Sequence, residues 1–364
     1  MAQHFPARTR SAVRCIAEDQ QGVDRVTRAI LTPILDSLSG LYFVAYKCRR
    51  LMFAMGVLAA HSLPVPVISV GNLSWGGTGK TPMTEYIVQM YARAGMRPLV
   101  LARGYGNDEH LQTSTHLPDA IVGVGADRVT VGRSILERHS ALDVAVLDDG
   151  FQHWRLKRDL DIVMINSLNP WGTGRLIPRG PLREPMSALY RAQAHVLHHA
   201  NLVTAKRIGE IENRVGLYSS PGALIVTSRF RPVSLLQVST NTCVNVDFLQ
   251  GKCVYAFSGI GSPEAFHLML RESCGVDVVK TVIFPDHHLY SAEELRFLRA
   301  DCKTLYGLGA WLITTEKDLF RCPEIATCLS DVNLGVVIGE LEVDDEKGEF
   351  KKLLMSAVLD TVKQ

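Results

Sequence analysis

From residue 65 the chain alternates short apolar, β-branched runs with stretches of helical period. The runs 65–70, 98–102, 144–147, 161–165 and 194–197 read as strands, and 80–94 and 128–139 read as helices, the first stopped by Gly95. Strand, crossover helix and strand in repetition predict a parallel sheet covered on both faces. A second alternating series starts near residue 222, with strands at 223–226, 253–257, 278–283, 311–314 and 334–338. Its helices start near Ser262-Pro263 and at Ser291, where Glu294 completes a capping box. The pattern divides the α/β chain into a first domain over 63–221 and a second, smaller one over 222–364, whose last helix is free to pack back on the first. No Ser/Gly linker separates them, so a compact crossover around 210–225 is expected.

Ahead of this series, Ile34, Leu35, Leu38, Leu41, Tyr42 and Ala45 recur at helical spacing behind Thr32, a capping residue, and Pro33, which suits a first helical position. Asp36, Ser37 and Ser39 fall mainly on the other side; Lys47, Arg49 and Arg50 follow, then a second apolar run over 51–60. The segment 26–62 therefore reads either as an amphipathic helix on a membrane surface, its cations near anionic head groups, or as a helix packed on the domain behind it. No uninterrupted run of 18 apolar residues occurs, so no membrane-spanning helix is predicted. Over 1–25, Arg8, Arg10 and Arg14 precede the first acidic residue, Glu18. Such a start reads as a mitochondrial transit peptide or as a disordered tail.

Composition narrows the class. At roughly 150 residues per domain, 364 residues suggest two domains. With 39 Lys+Arg against 37 Asp+Glu, the net charge of +2 offers no electrostatic case for nucleic acid. The eight cysteines contain no C-x-x-C pair and read as reduced intracellular thiols rather than a zinc knuckle or disulfide framework.

The chemistry concentrates in a glycine-rich loop. Residues 71–81 follow the strand 65–70 and open a helix, with Gly76, Gly77, Thr78, Gly79, Lys80 and Thr81 at its end. Glycines let successive backbone N–H groups turn inward around phosphates, and the helix N-terminus adds partial positive charge. Lys80 would reach the β- and γ-phosphates of ATP, and the Thr81 hydroxyl would ligate Mg²⁺. Ser74 stands where the usual pattern has its first Gly. The apolar strand over 142–147 ends in Asp148-Asp149, in place to serve the metal. No guanine-reading motif appears: Thr315-Glu316-Lys317-Asp318 has its Lys one position late, and its charges either touch adenine or are solvated. Arg175, Arg179 and Arg183 lie in a Gly/Pro-rich loop suited to gripping a substrate phosphate or closing over ATP. His195, His198 and His199 lie on one strand-like run and would not converge on a metal. On these residues alone, a P-loop ATPase or GTPase that switches a partner protein accounts for the loop equally well.

Taken together, VGNLSWGGTGKTP, ARGYG, NDE, GADR, VLDDGFQH, NPWGTGRLIPRGPLREP, FSGIGSPEAF, FPDHH and TTEKD, in that order across 65–318, resemble the tetraacyldisaccharide 4′-kinase family of lipid A biosynthesis. The resemblance implies ATP-dependent phosphorylation of the 4′-hydroxyl of an acylated glucosamine disaccharide 1-phosphate, in a cleft between a P-loop domain and a smaller α/β domain. It implies Asp108 as general base with Glu109 beside it at the metal, His287 as partner of that base, and Arg128 near the phosphates with Lys80. It also implies a membrane surface and a lipid substrate as partners, with no obligate protein partner. The family usually carries a longer insert before Asp-Glu, and a Pro after Glu, where this chain has Asn107-Asp108-Glu109-His110. Bacterial members generally lack the N-terminal extension, which suits a mitochondrial, membrane-associated enzyme; without a transit peptide the cytoplasmic face of a bacterial inner membrane is the expected location.

Overall fold

The computed structural model describes residues 17, 24–104, 108–118, 120–305 and 309–362. The expected targeting segment 1–25 therefore lies almost wholly outside the described residues. In chain order the elements are α1 (Arg25–Ala54), β1 (Val67–Gly71), α2 (Lys80–Arg93), β2 (Pro98–Ala102), α3 (Asp108–His116), β3 (Ile121–Val124), α4 (Arg128–Arg138), β4 (Val144–Asp148), β5 (Leu160–Asn166) and β6 (Ala194–His198). There follow α5 (Ala205–Gly216), β7 (Leu224–Gln237), β8 (Thr242–Asn245), β9 (Cys253–Ser258), α6 (Pro263–Cys274), β10 (Asp277–Ile283), α7 (Ala292–Thr304), β11 (Trp311–Thr315), α8 (Glu316–Arg321), α9 (Glu324–Cys328), β12 (Leu334–Asp344) and α10 (Glu349–Val362).

One sheet of 12 strands runs through both halves in the order β10-β9-β11-β12-β7-β6-β5-β1-β4-β2-β3, with β8 on β7. Pairing is parallel except where β7 meets β12 and β8. The β7–β12 ribbon joins the halves, pairing Gln237 with Gly335 at one end and Thr227 with Asp344 at the other. Both strands extend well beyond the 223–226 and 334–338 expected from their apolar runs, because their outer parts alternate polar and buried positions. Pro232, which has no N–H to donate, sits at the register shift between Ile338 and Gly339. The central strands β1, β4 and β5 are buried along their whole length, as a sheet covered on both faces requires. Helices α2 and α10 cover one face, where Met83, Ile87, Tyr91, Phe350 and Leu354 share a core and the Tyr91 hydroxyl donates to the Leu354 carbonyl at 2.7 Å.

Helix α1 differs from its expected form. Asp24, not Thr32, caps it, accepting from the Thr27 N–H at 2.9 Å, and Pro33 lies inside the helix on its exposed side. Its anchored stripe carries polar and aromatic groups: Ser39 donates to the Leu176 carbonyl at 2.9 Å, Tyr42 donates to the Arg183 carbonyl at 2.7 Å, and Tyr46 packs edge-on against Trp154. Its apolar side chains Ile30, Ile34, Leu41, Val44 and Leu51 face outward. The helix is long and apolar enough to cross a membrane by length and composition, since its few polar residues interrupt the apolar run without outweighing it.

Candidate active site

The loop between β1 and α2 leaves the middle of the sheet at its C-terminal edge, the ligand side of an open α/β sheet. Gly79 precedes Lys80 with φ +79°, and a Cβ there would come within 2.5 Å of the His198 ring, so only glycine fits. The loop is held from several sides. Asn72 Nδ2 donates to Thr78 Oγ1 at 2.8 Å, the Trp75 N–H donates to the Pro181 carbonyl at 3.0 Å, and Asn166 Nδ2 donates to the Gly77 carbonyl at 3.2 Å. The same Asn166 amide donates to Ser262 Oγ at 3.1 Å, and a Cβ on Gly261 would strike the Gly77 amide. The second half of the chain thus rests directly on the loop.

Beside the loop, Thr81 Oγ1 donates to Asp148 Oδ2 at 3.0 Å. A hydroxyl and a carboxylate side by side are hard oxygen donors of the kind Mg²⁺ takes, and Mg²⁺ usually keeps waters and phosphate oxygens in its remaining positions. Among the described residues no three His, Cys, Asp or Glu side chains gather as a metal cage.

Asp149, expected at the metal, stands between two cations. Arg183 Nη1 donates to both of its carboxylate oxygens at 2.8 and 2.9 Å, and Lys80 Nζ lies 3.8 Å away. Burial raises the Asp149 pKa, but Lys80, Arg183 and Arg128 together outweigh it and hold the carboxyl at about 2. The buried guanidinium of Arg128 does not line the cavity; it donates to the carbonyls of Asp148 and Asp149 at 3.1 Å each and so shapes the turn that carries both carboxylates.

These groups open onto a cavity of about 1000 Å³ between the two halves of the chain. From the far side Asp286 and His287 line it, and His287 adopts left-handed backbone with φ +59° while its N–H donates to the Gly259 carbonyl at 3.1 Å. Asp108 and Glu109 open α3, and their side chains lie outside the described residues. Of the three loop arginines, only Arg183 reaches the cavity. Arg175 and Arg179 pair with Asp36 of α1 at 3.3 and 3.6 Å, so they fasten that helix to the body.

Three features had no clear signal in the sequence. His198 is fully buried beneath Gly79 with Nδ1 3.0 Å from Ser228 Oγ, and its ring lies 4.0 Å from that of His199. Burial holds His198 well below the usual histidine range and His199 at about 4, so both are neutral imidazoles. Asp318 is buried rather than solvated, accepting from the Gly259 N–H at 3.0 Å, Tyr290 at 3.0 Å and Thr315 Oγ1 at 2.6 Å. Glu316 meets His116 Nε2 at 2.8 Å, while His116 Nδ1 lies 3.0 Å from Glu85 Oε2.

A parallel sheet with a glycine loop at the end of its central strand, a Lys-Thr pair opening the next helix and a carboxylate on the neighbouring strand define a P-loop nucleotide-binding protein. A family model for tetraacyldisaccharide-1-P 4′-kinase (LpxK) matches residues 31–116 and 108–359. The chain is 38% identical over 369 residues to a probable mitochondrial tetraacyldisaccharide 4′-kinase of Arabidopsis thaliana, covering 90% of this chain and 91% of that one. A tetraacyldisaccharide 4′-kinase of Syntrophus aciditrophicus is 35% identical over 81% of this chain and 85% of its own. The crystal structure of LpxK from Aquifex aeolicus in complex with ATP superposes with a TM-score of 0.66 at 29% identity, over 90% of this chain and 99% of that chain. The chain belongs to the tetraacyldisaccharide 4′-kinase family.

Proposed function

We propose that this chain uses ATP to phosphorylate the 4′-hydroxyl of a tetraacyl glucosamine disaccharide 1-phosphate at a membrane surface. The observation that carries the reading is the Thr81–Asp148 pair beside Lys80 and the glycine loop, facing His287 across one cavity. Phosphoryl transfer depends mainly on positioning and charge neutralisation. The loop amides and Lys80 hold the β- and γ-phosphates, and Arg183 adds a second cation whose charge Asp149 balances between turnovers. Arg128 fixes the turn bearing Asp148 and Asp149 through their carbonyls. Thr81 and Asp148 would hold Mg²⁺, which when bound neutralises charge developing on the transferred phosphoryl.

A sugar hydroxyl is a weak nucleophile and needs a base within hydrogen-bond reach. Asp108 takes that proton in this reading, Glu109 supports the metal side, and His287 orients the base or accepts its proton. The outward apolar face of α1 supports a membrane surface as the place where the lipid is met. The Arg8, Arg10 and Arg14 start and the mitochondrial relative support an organellar location, which fractionation of the tagged full-length chain would test.

The decisive assay supplies Mg-ATP and a tetraacylated glucosamine disaccharide 1-phosphate in detergent micelles to the purified chain. A bisphosphorylated lipid that disappears with Lys80→Ala is the expected result. ATP hydrolysis without lipid phosphorylation would overturn it in favour of a nucleotide switch acting on a protein partner.

A further inference from the structure

His116 ends the helix that begins with Asp108, and both of its ring nitrogens face a carboxylate. A neutral imidazole can donate from one nitrogen only, so two carboxylate partners call for the doubly protonated ring. The partners come from opposite halves of the chain. Glu85 stands on α2, one turn beyond Lys80, and Glu316 is the first residue of α8, at the end of β11. All three side chains line the main cavity yet are largely shielded, at 19%, 12% and 16% exposure for His116, Glu85 and Glu316. Glu85 Oε1 is buried without a hydrogen-bond partner among the described residues, so Glu85 leans on His116 for compensation of its charge. Phe320, also on α8, sets its ring edge against the imidazole at 6.5 Å. Among the described residues, the charged groups within hydrogen-bond distance of the ring are these two carboxylates.

The geometry fixes one end of α3 on both walls of the cleft at once. A helix of this length spans about 12 Å from first residue to last, so a clasp at His116 sets where the Asp108 end falls. We propose that His116 is a positioning residue for phosphoryl transfer, clasping α3 between the P-loop helix and the second half of the chain so that Asp108 is held at a fixed offset from Lys80. This rests on the reading of Asp108 as the base. Displacing a reacting group by about 1 Å costs on the order of 10²-fold in rate, which sets the scale of the effect.

The test uses the full chain and the micellar lipid assay. His116→Gln is expected to lower kcat by about 10²-fold with the KM for ATP within about 3-fold of wild type. His116→Arg keeps a permanent charge and two donors, and is expected to recover activity to within about 10-fold of wild type. Glu316→Gln combined with His116→Gln should be no worse than His116→Gln alone, because both variants open the same clasp. Amide hydrogen exchange supplies a readout independent of chemistry: His116→Gln and Glu316→Gln each speed exchange in 108–116, whereas Asp108→Asn lowers kcat and leaves that exchange as in wild type. Wild-type kcat in His116→Gln, losses that multiply in the double variant, or unchanged exchange in 108–116 would each overturn the clasp. Wild-type kcat in Asp108→Asn would overturn the base reading instead and leave exchange as the arbiter of the clasp.

Discussion

On the β1 side of the cleft, Asp149 is shared by the cations Lys80 and Arg183, Arg128 is buried against two carbonyls, and the glycine loop is pinned by Asn72, Asn166 and Pro181. On the far side, Asp286 lies 4.0 Å from His287, beyond hydrogen-bond range, and the His287 side chain is 43% exposed. The first wall is a cluster of charges held by its own hydrogen bonds; the second presents Asp286 and His287 from the loop that follows β10. Loss of a group on the first wall should therefore remove charge stabilisation outright, and loss on the second should remove alignment.

The comparison breaks most sharply at Lys80. Lys80→Ala should cut kcat by about 10³-fold or more, in line with removing a preorganised charge at the reacting centre. Its thermal unfolding midpoint should stay at the wild-type value, and a full loss of stability would show that the lysine holds the loop together rather than the phosphates. His287→Ala should cost about 10²-fold in kcat with little change in the KM for ATP, as a steady-state titration of both substrates would read. Gly261→Ala sharpens the contrast from the seam between the walls. Its new Cβ would strike the Gly77 amide, so the KM for ATP should rise about 10-fold while overpacking costs about 1–3 kcal/mol in unfolding free energy. At the small end, Arg175→Ala should leave micellar kcat within about 2-fold, since an exposed ion pair contributes about 0–1 kcal/mol.

Protonation offers another way to separate the regions. Burial holds His195 and His199 at about 4 against an ordinary value of 6.5, so between pH 4 and 6.5 the unfolded chain binds more protons there and stability rises with pH. His116 runs the other way: hydrogen bonds to Glu316 and then Glu85 raise it to about 10 against the lowering effect of burial. Its stabilisation is fully present below pH 6.5 and is lost as pH rises through about 10. The unfolding midpoint of His116→Gln should therefore lie furthest below wild type at pH 6 and converge on it toward pH 10. A deficit constant across that range would mean that the ring is neutral.

Strand β2 occupies the 98–102 read from its apolar run, and the glycine loop sits between a buried strand and a helix as its sequence context requires. Local pattern carried that much because hydrophobic period and glycine placement are local properties. Strand β3 escaped because Ile121–Val124 is only four residues long. The outer parts of β7 and β12 escaped because their polar alternation suits an exposed ribbon rather than a buried strand. Pro33 suggested a helix start, yet Asp24 caps α1 well upstream and the missing N–H falls on an exposed side. The partners of the site arginines were illegible for another reason. Asp36 finds Arg175 and Arg179 across more than 130 positions of chain, and Asp149 finds Arg183 across 34. Charge pairing at that range is a property of topology, and no spacing rule records it. The same holds for His198 under Gly79, and for the triad of Glu85, His116 and Glu316.

The contact of Gly261 with Gly77 has a consequence for how the chain comes into being. All the residues of the glycine loop emerge from the ribosome long before the segment on which the loop rests. A nascent chain halted short of residue 261 carries Lys80, Thr81 and Asp148 but lacks the surface that closes over them. The full support of the loop is thus assembled only once the second half of the chain has been made.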